Sequence, residues 1–283
     1  MVRAALQALE LPGEVYKLRL SDPVDLAKIV RSVRAGKLSA ACFSGTWCDE
    51  TVRMADEVEE SARRADCADV LLNGPRGVVA HNIAYGAFVD LFEGVKQRGT
   101  VAIIGSGPSA CAAVAACRDL GFPVIGVTSR SFKSTEVLCE SSAAERMRRL
   151  GALPTLWPAS GSGSGISHFS REMRLQFAEL AASACLLVQT VAMDPSAPDA
   201  PLLARLVPWP KTRRDAFVCD LVYGAIPSPF LVESRGQDLA GVGGIEMLTR
   251  RGLQLIETWT GRLPPRACLH AAVSRMCMRP DHE

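Results

Sequence analysis

Val101-Ala102-Ile103-Ile104-Gly105-Ser106-Gly107-Pro108-Ser109-Ala110 is the stretch on which the reading of this chain turns. A run of small apolar residues meets a glycine turn, a helical pattern follows from Ser109 to Leu120, and a second apolar run, Pro123 to Thr128, ends in Ser129-Arg130-Ser131. This is the strand, turn, helix, strand order that a dinucleotide-binding unit requires. In such a unit the first glycine permits the tight turn and the second lets backbone approach a pyrophosphate. A small third residue, here Ala110, lets the helix lie close on the strand, and the helix N-terminus points its N–H groups at phosphate. The pattern alone is weak; the flanking strands and helix give it weight. Gly105, Ser106, Gly107, Pro108, Ser109 and Ala110 are therefore candidate cofactor residues.

The end of the second strand bears on which dinucleotide is expected. An acidic residue there would hold the ribose hydroxyls of NAD, whereas this chain offers Ser129, Arg130, Ser131 and Lys133, with no carboxylate before Glu136. The expected cofactor is NADP(H): Arg130 is suited to stack on adenine and pair with the 2′-phosphate, and the two hydroxyls and Lys133 add donors. A solvated basic turn is the plainer reading of the same residues.

Composition narrows the rest. The 283 residues are 48% hydrophobic and 22% charged, which suits one large or two modest globular domains. A net charge of +2 leaves no nucleic-acid footprint. Ten cysteines without a C-x-x-C pair, several in apolar runs, read as buried thiols in a reducing compartment. Four scattered histidines lack ligand spacing, so no metal is expected. Neither a signal peptide nor an apolar run of about 18 residues is present, so no membrane partner is expected and the cytoplasm is the expected location.

Outward from the glycine turn, the pattern is α/β. Val2 to Leu9, Pro23 to Ala35 and Asp49 to Ala65 read as helices, and Val15 to Leu20 and Ser39 to Phe43 as extended segments. Asp22 is placed to cap the helix opened by Pro23, and Gly36 to end it. Asn82 to Arg98 reads as a long helix bridging two domains, and Ser134 to Leu150 as helical. Ala159 to Gly165, alternating serine and glycine, reads as a mobile loop. Ala184 to Thr190 and Ala216 to Tyr223 read as buried strands. Thr190, Val191, Tyr223 and Gly224 then fall at strand ends, in the same crevice as Gly105 to Ser109. Gly244 to Thr260 reads as a helix closed by Gly261.

These elements together resemble the shikimate dehydrogenase family along most of the chain. The family's glycine loop and strand ending Asn-Arg-Thr are matched by Gly105 to Ala110 and Ser129-Arg130-Ser131. Its Asn-Ala-Thr-x-x-Gly-Met turn is similar to Val188 to Met193, and its Asp-x-x-Tyr-x-Pro turn to Asp220 to Ala225. Pro227 to Leu231 stands where the family has a Thr-Pro-Leu-Leu-like run, and Gly243 to Leu248 with Leu255 to Gly261 resembles its closing motifs. The resemblance implies a Rossmann-type nucleotide-binding domain over 87–243. It also implies a smaller α/β substrate domain, 1–86 with 244–283, closed by C-terminal helices. It adds Thr190, Val191, Val222, Gly243 and Met247 to the cofactor residues and puts the Tyr223 hydroxyl near a small-molecule substrate. A homodimer is compatible with it.

The substrate half departs from the family. The family's catalytic lysine falls on Asp49, and the aspartate that pairs with it falls on Ala84. A substrate-binding asparagine falls on Asp69 and a late glutamine on Arg251. Met1 lines up within the first helix, so the opening strand with its Ser-x-Ser clamp has no counterpart. Loss of a proton-transferring pair costs orders of magnitude in rate, which argues against shikimate as substrate. Replacement chemistry is sought at Asp49, as a base or as the cap of its helix, and at Tyr223. Asp69, Asn82 and Arg251 are substrate-binding candidates, Arg251 as a bidentate carboxylate clamp or a solvated charge. Tyr85 reads as a packing residue and Cys48 as a buried thiol. Three functions stay open: an NADP(H)-dependent oxidoreductase for another small hydroxy or keto compound, a non-catalytic NADP- or metabolite-binding pseudo-enzyme with a regulatory role, and a shikimate dehydrogenase with an atypical site.

Overall fold

The computed structural model describes residues 1–158 and 168–278. The serine and glycine stretch Ala159 to Gly165 lies outside them. The chain divides into two compact units, residues 1–88 with 245–283, and residues 89–244.

In chain order the elements are α1 (Val2–Ala8), α2 (Pro23–Arg34), β1 (Ala40–Cys42), α3 (Trp47–Met54), β2 (Glu57–Val58), α4 (Glu60–Ala65), β3 (Val70–Gly74), β4 (Gly77–His81) and α5 (Ile83–Phe92). Then come β5 (Thr100–Ile104), α6 (Pro108–Asp119), β6 (Val124–Thr128), α7 (Thr135–Glu140), α8 (Ser142–Arg149), β7 (Leu153–Thr155) and α9 (His168–Ser183). The remainder is β8 (Leu186–Gln189), α10 (Ala200–Ala204), β9 (Phe217–Asp220), α11 (Pro229–Gly236), β10 (Ala240–Val242), α12 (Gly244–Thr260) and α13 (Arg266–Cys277).

The unit spanning 89–244 is a doubly wound α/β fold. Its six strands run in the order β10-β9-β8-β5-β6-β7, every pair parallel. The chain moves outward from β5 through β6 to β7, then returns to β8 on β5's other side. The switch point therefore lies between β5 and β8, where ligands of such sheets bind at the carboxyl ends. Strands β5 and β8 are almost wholly buried, as unbroken apolar runs require. Helix α6 buries eight consecutive residues, Ala110 to Cys117. Only small side chains allow a helix to be enclosed on all sides at close range. Beneath α11, Trp209 and Phe230 meet edge to face with centroids 5.0 Å apart.

The other unit carries a four-stranded sheet, β1-β3-β4-β2, antiparallel except for β2 beside β4. Ala5 and Leu9 of the N-terminal segment pack with Ile256 of α12 and Leu269 of α13. Gly252 makes this approach possible, since a Cβ there would lie 2.5 Å from Met1 Sδ. Asp22 caps α2 by accepting the Asp25 N–H at 2.9 Å, and Gly36 follows that helix at φ +69°.

Four expectations need correction. Asp49 to Ala65 is not one helix but α3, β2 and α4. The Asp56 carboxylate accepts from Val78 N–H at 2.8 Å and from Arg34 at 2.9 Å. That fixes Glu57 and Val58 beside β4, so tertiary pairing overrides the helical period. Ser134 to Leu150 is broken in two because Ser141 is extended, closing α7 and capping α8 through the Ala144 N–H at 3.3 Å. Val15 to Leu20 forms no strand, and Tyr16 and Leu18 are exposed. The bridge read over Asn82 to Arg98 is helical only from Ile83 to Phe92.

None of the ten cysteines forms a disulfide. Among the described residues no helix is long and apolar enough to cross a membrane, and no cluster of three or more metal-ligating side chains occurs.

Candidate functional site

Gly105 sits at the carboxyl end of β5 with φ +121°, a conformation L side chains rarely adopt. A Cβ there would lie 2.1 Å from Thr190 Oγ1. Thr190 in turn ties the end of β8 to β5, since its N–H and its hydroxyl both donate to the Ile104 carbonyl at 2.9 Å. The glycine is thus demanded by backbone conformation and by close approach together. Gly107 opens α6 with no side-chain cap and open space where a Cβ would be, Pro108 occupies the first turn, and no acidic residue follows in that turn. An uncapped twelve-residue helix facing a glycine turn presents N–H groups and the positive end of its dipole to an anion. Ala110 is fully buried under the loop.

A chain of hydroxyls joins this loop to the end of β6. Ser106 Oγ donates to Ser129 Oγ at 2.9 Å, and Ser129 Oγ lies 3.0 Å from Ser131 Oγ. Arg130 and Lys133 project into solvent beside them. Along the chain no carboxylate precedes Glu136, but in space one does: Asp199, just before α10, accepts from Arg130 Nη1 at 3.1 Å. Sequence reasoning had no signal for this pairing across 69 residues.

The turns after β8 and β9 are built by buried polar side chains. Gln189 closes the first by donating to Val191 O at 3.2 Å and accepting the Val191 N–H. In the second, fully buried Asp220 accepts from Val222 N–H at 2.9 Å and from Ser228 Oγ, while Ser228 caps α11. Burial pushes the Asp220 carboxyl up to about 6, against the pull of these two hydrogen bonds. The Val222 carbonyl accepts from Gly244 N–H at 3.2 Å, and a Cβ on Gly244 would lie 2.5 Å from Leu221 O. A Cβ on Gly243 would lie 2.9 Å from Leu231 Cδ1. Val222 and Met247 are buried, and Tyr223 is 44% exposed.

In the other unit the structure brings Asp69 and Arg251 together. Asp69, 5% exposed, accepts from the Ile83 N–H at 2.7 Å, from the Ala84 N–H at 3.1 Å and from Arg251 Nη2 at 2.9 Å. Its carboxylate therefore sits on the N-terminus of α5, where negative charge is stabilised. Asp69 and Arg251, read separately as substrate-binding candidates, are the two partners of one ion pair. Arg251 pairs through Nη2 with this carboxylate of the chain itself. Asn82 is a helix cap: its Oδ1 accepts the Tyr85 N–H at 2.8 Å and its Nδ2 donates to Cys67 O at 2.9 Å and to Cys67 Sγ at 3.2 Å. At 2% exposure, these bonds hold its amide within the protein. Asp49 stands in the first turn of α3 and is half-buried, and it is not the cap, which falls on Thr46. Cys48 is buried, and burial with the nearby Asp69 charge pushes its thiol up to about 12, which makes it an inert packing residue.

Fold and loop chemistry define a class: an α/β protein whose larger unit has the build of a dinucleotide-binding domain. Comparison with known proteins narrows this to shikimate dehydrogenase-like. The chain is 24% identical over 266 residues to a Chlorobium chlorochromatii protein named shikimate dehydrogenase (NADP(+)), covering 92% of this chain and 86% of that one. It is 30% identical over 188 residues to the Synechococcus protein of that name, covering 64% and 55%. The Thermus thermophilus shikimate 5-dehydrogenase solved with NADP(H) and shikimate superposes with a TM-score of 0.72 at 20% identity, covering 96% of this chain and 92% of that one. A 5-ketofructose reductase of Gluconobacter sp. shares the fold at a TM-score of 0.75 and 18% identity, covering 97% and 92%. No family model matches the chain. The resemblance read from its motifs therefore holds along nearly the whole chain, at the identities of a divergent relative.

Proposed function

We propose that this chain is an NADP(H)-dependent oxidoreductase acting on a small hydroxy or keto compound other than shikimate. The observation that carries the reading is the anion cradle around Gly105: an uncapped α6, joined by the Ser106, Ser129 and Ser131 hydroxyls to a strand end bearing Arg130 and Lys133. The α6 N-terminus holds the pyrophosphate, and Arg130, Lys133, Ser129 and Ser131 hold the 2′-phosphate. Thr190, Val191, Val222, Gly243 and Met247 belong to the same cofactor set. The bound cofactor supplies or accepts a hydride at its nicotinamide ring. Asp49 takes or returns the proton, Tyr223 donates a hydrogen bond to substrate oxygen, and Asp69 positions Arg251. The match of names among relatives supports NADP(H), and the 5-ketofructose reductase of the same fold supports a substrate other than shikimate.

A second reading is favoured by one observation. Asp69 and Arg251 satisfy each other and Asn82 is spent as a cap, which is what a pseudo-enzyme that only binds nucleotide would retain. Fluorescence titration with NADPH, followed by a carbonyl screen read as loss of cofactor absorbance, separates the two. The oxidoreductase reading expects micromolar binding and turnover on at least one substrate. Binding without turnover across the screen turns the assignment to the sensor, and failure to bind NADPH overturns both.

A further inference from the structure

Arg130 and Asp199 come from loops that leave opposite neighbours of β5. Arg130 follows β6 and Asp199 lies beyond β8, and these two strands flank β5 in a parallel sheet. All three strands end on the same edge, so the ion pair bridges the carboxyl ends on either side of the glycine loop. Asp199 occupies the position before α10 where aspartate commonly caps a helix, yet its side chain makes no cap hydrogen bond. Its carboxylate instead accepts from Arg130 at 3.1 Å. The pair is open to water, the two side chains 54% and 48% exposed. Exposed pairs of this kind are weak and easily exchanged for another anion.

We infer that Asp199 is a cofactor-selectivity residue, which holds Arg130 in the free chain and gives it up to the 2′-phosphate of NADP(H). The inference rests on the reading of the cradle as an NADP(H) site and adds a competitor built into the chain. A carboxylate left 3.1 Å from Arg130 Nη1 would repel a phosphate brought to the same guanidinium, so the phosphate binds best when Asp199 withdraws. NADH, which has a hydroxyl in that position, meets no such competition. Asp199 therefore lowers the affinity for NADPH without lowering that for NADH, and narrows the discrimination Arg130 and Lys133 would otherwise give.

The test is the dissociation constant of NADPH and of NADH, by calorimetry or cofactor fluorescence, for the unmodified chain and for Asp199→Asn and Asp199→Ala. Both substitutions are expected to tighten NADPH by about threefold to tenfold and to change NADH by less than about twofold, with the NADPH gain shrinking as salt rises. A second readout is amide exchange of residues 196–200 around Asp199, which NADPH accelerates and NADH leaves unchanged in the unmodified chain. Unchanged or weakened NADPH binding in the variants, or an equal gain for both cofactors, overturns the role of Asp199 and leaves the NADP(H) reading standing. Absence of NADPH binding in the unmodified chain and both variants overturns that reading and this inference together.

Discussion

Gly105 and Gly107 stand two residues apart in one loop and answer to different constraints. At Gly105 a methyl group meets Thr190 Oγ1 at 2.1 Å and the backbone is held at φ +121°, and the β-branched threonine cannot swing aside without losing its bond to Ile104. Gly105→Ala is expected to cost about 2–4 kcal/mol in urea denaturation. At Gly107 the space is open and φ is −83°. Gly107→Ala should stay within about 0.5 kcal/mol of the parent while weakening NADPH binding, because the methyl stands in the anion cradle. Equal loss of stability at both positions would contradict this account. Asp220 gives a residue-scale prediction of a different kind. Its carboxyl is ordinarily near 3.8 and in the folded chain near 6, so the folded state holds the proton more tightly than the unfolded one. The stability this contributes is complete below the unfolded value and is lost as pH rises through about 6. Asp220→Asn removes the titration, so the stability of the parent relative to the variant should fall by up to about 3 kcal/mol from roughly pH 4 to pH 7.

Helix α5 shows how an element can be held by side chains that motif alignment assigns to a substrate. Asp69 takes its first two N–H groups and Asn82 the Tyr85 N–H, so two buried polar residues, one just before β3 and one just after β4, satisfy one helix end. Asp69→Ala leaves these N–H groups and Arg251 without their carboxylate and should cost about 3–5 kcal/mol, whereas Arg251→Ala leaves Asp69 its two backbone donors and should cost about 1–2 kcal/mol. A double-mutant cycle by chemical denaturation measures both, and a larger loss for Arg251→Ala would contradict the order. Elements of the larger unit were legible because the glycine loop, flanking apolar strands and capping glycines follow local rules that the sheet respects. The smaller unit was less so. Asp56 breaks the apparent helix from Asp49 to Ala65 through bonds to Arg34 and Val78, which no window of sequence displays. The hairpin of β3 and β4 went unread, although Asn73-Gly74-Pro75-Arg76-Gly77 between Val70-Leu71-Leu72 and Val78-Val79 is a turn signal between strands. Helix α13, which begins just past Pro264-Pro265 with Pro265 in the N-cap position, supplies with α12 the C-terminal helices the resemblance implied.

At the scale of the whole molecule, one chain joins a doubly wound unit that carries the glycine loop to a second unit whose polar residues differ from the motifs the chain resembles. Asp49 and Ala84 stand where the resemblance puts a lysine and an aspartate, and Asp69 and Arg251, where it puts an asparagine and a glutamine, form an ion pair 2.9 Å long. Restoring the proton-transferring pair alone, as Asp49→Lys with Ala84→Asp, would put a new carboxylate on the residue whose N–H already binds Asp69. Two carboxylates so close repel, and the added lysine would meet Asp69 as a competing partner. The unmodified chain and this double variant are therefore both expected to reduce NADP+ with shikimate at least about a hundredfold more slowly than an ordinary shikimate dehydrogenase assayed alongside. Adding Asp69→Asn and Arg251→Gln removes the repulsion and should raise the shikimate-dependent rate above that of the double variant, with NADPH affinity the same in all three proteins. Shikimate turnover by the unmodified chain at the ordinary rate would show that Asp49 and Ala84 do not carry the difference. A double variant as fast as the quadruple one would show that the Asp69 and Arg251 pair is independent of it.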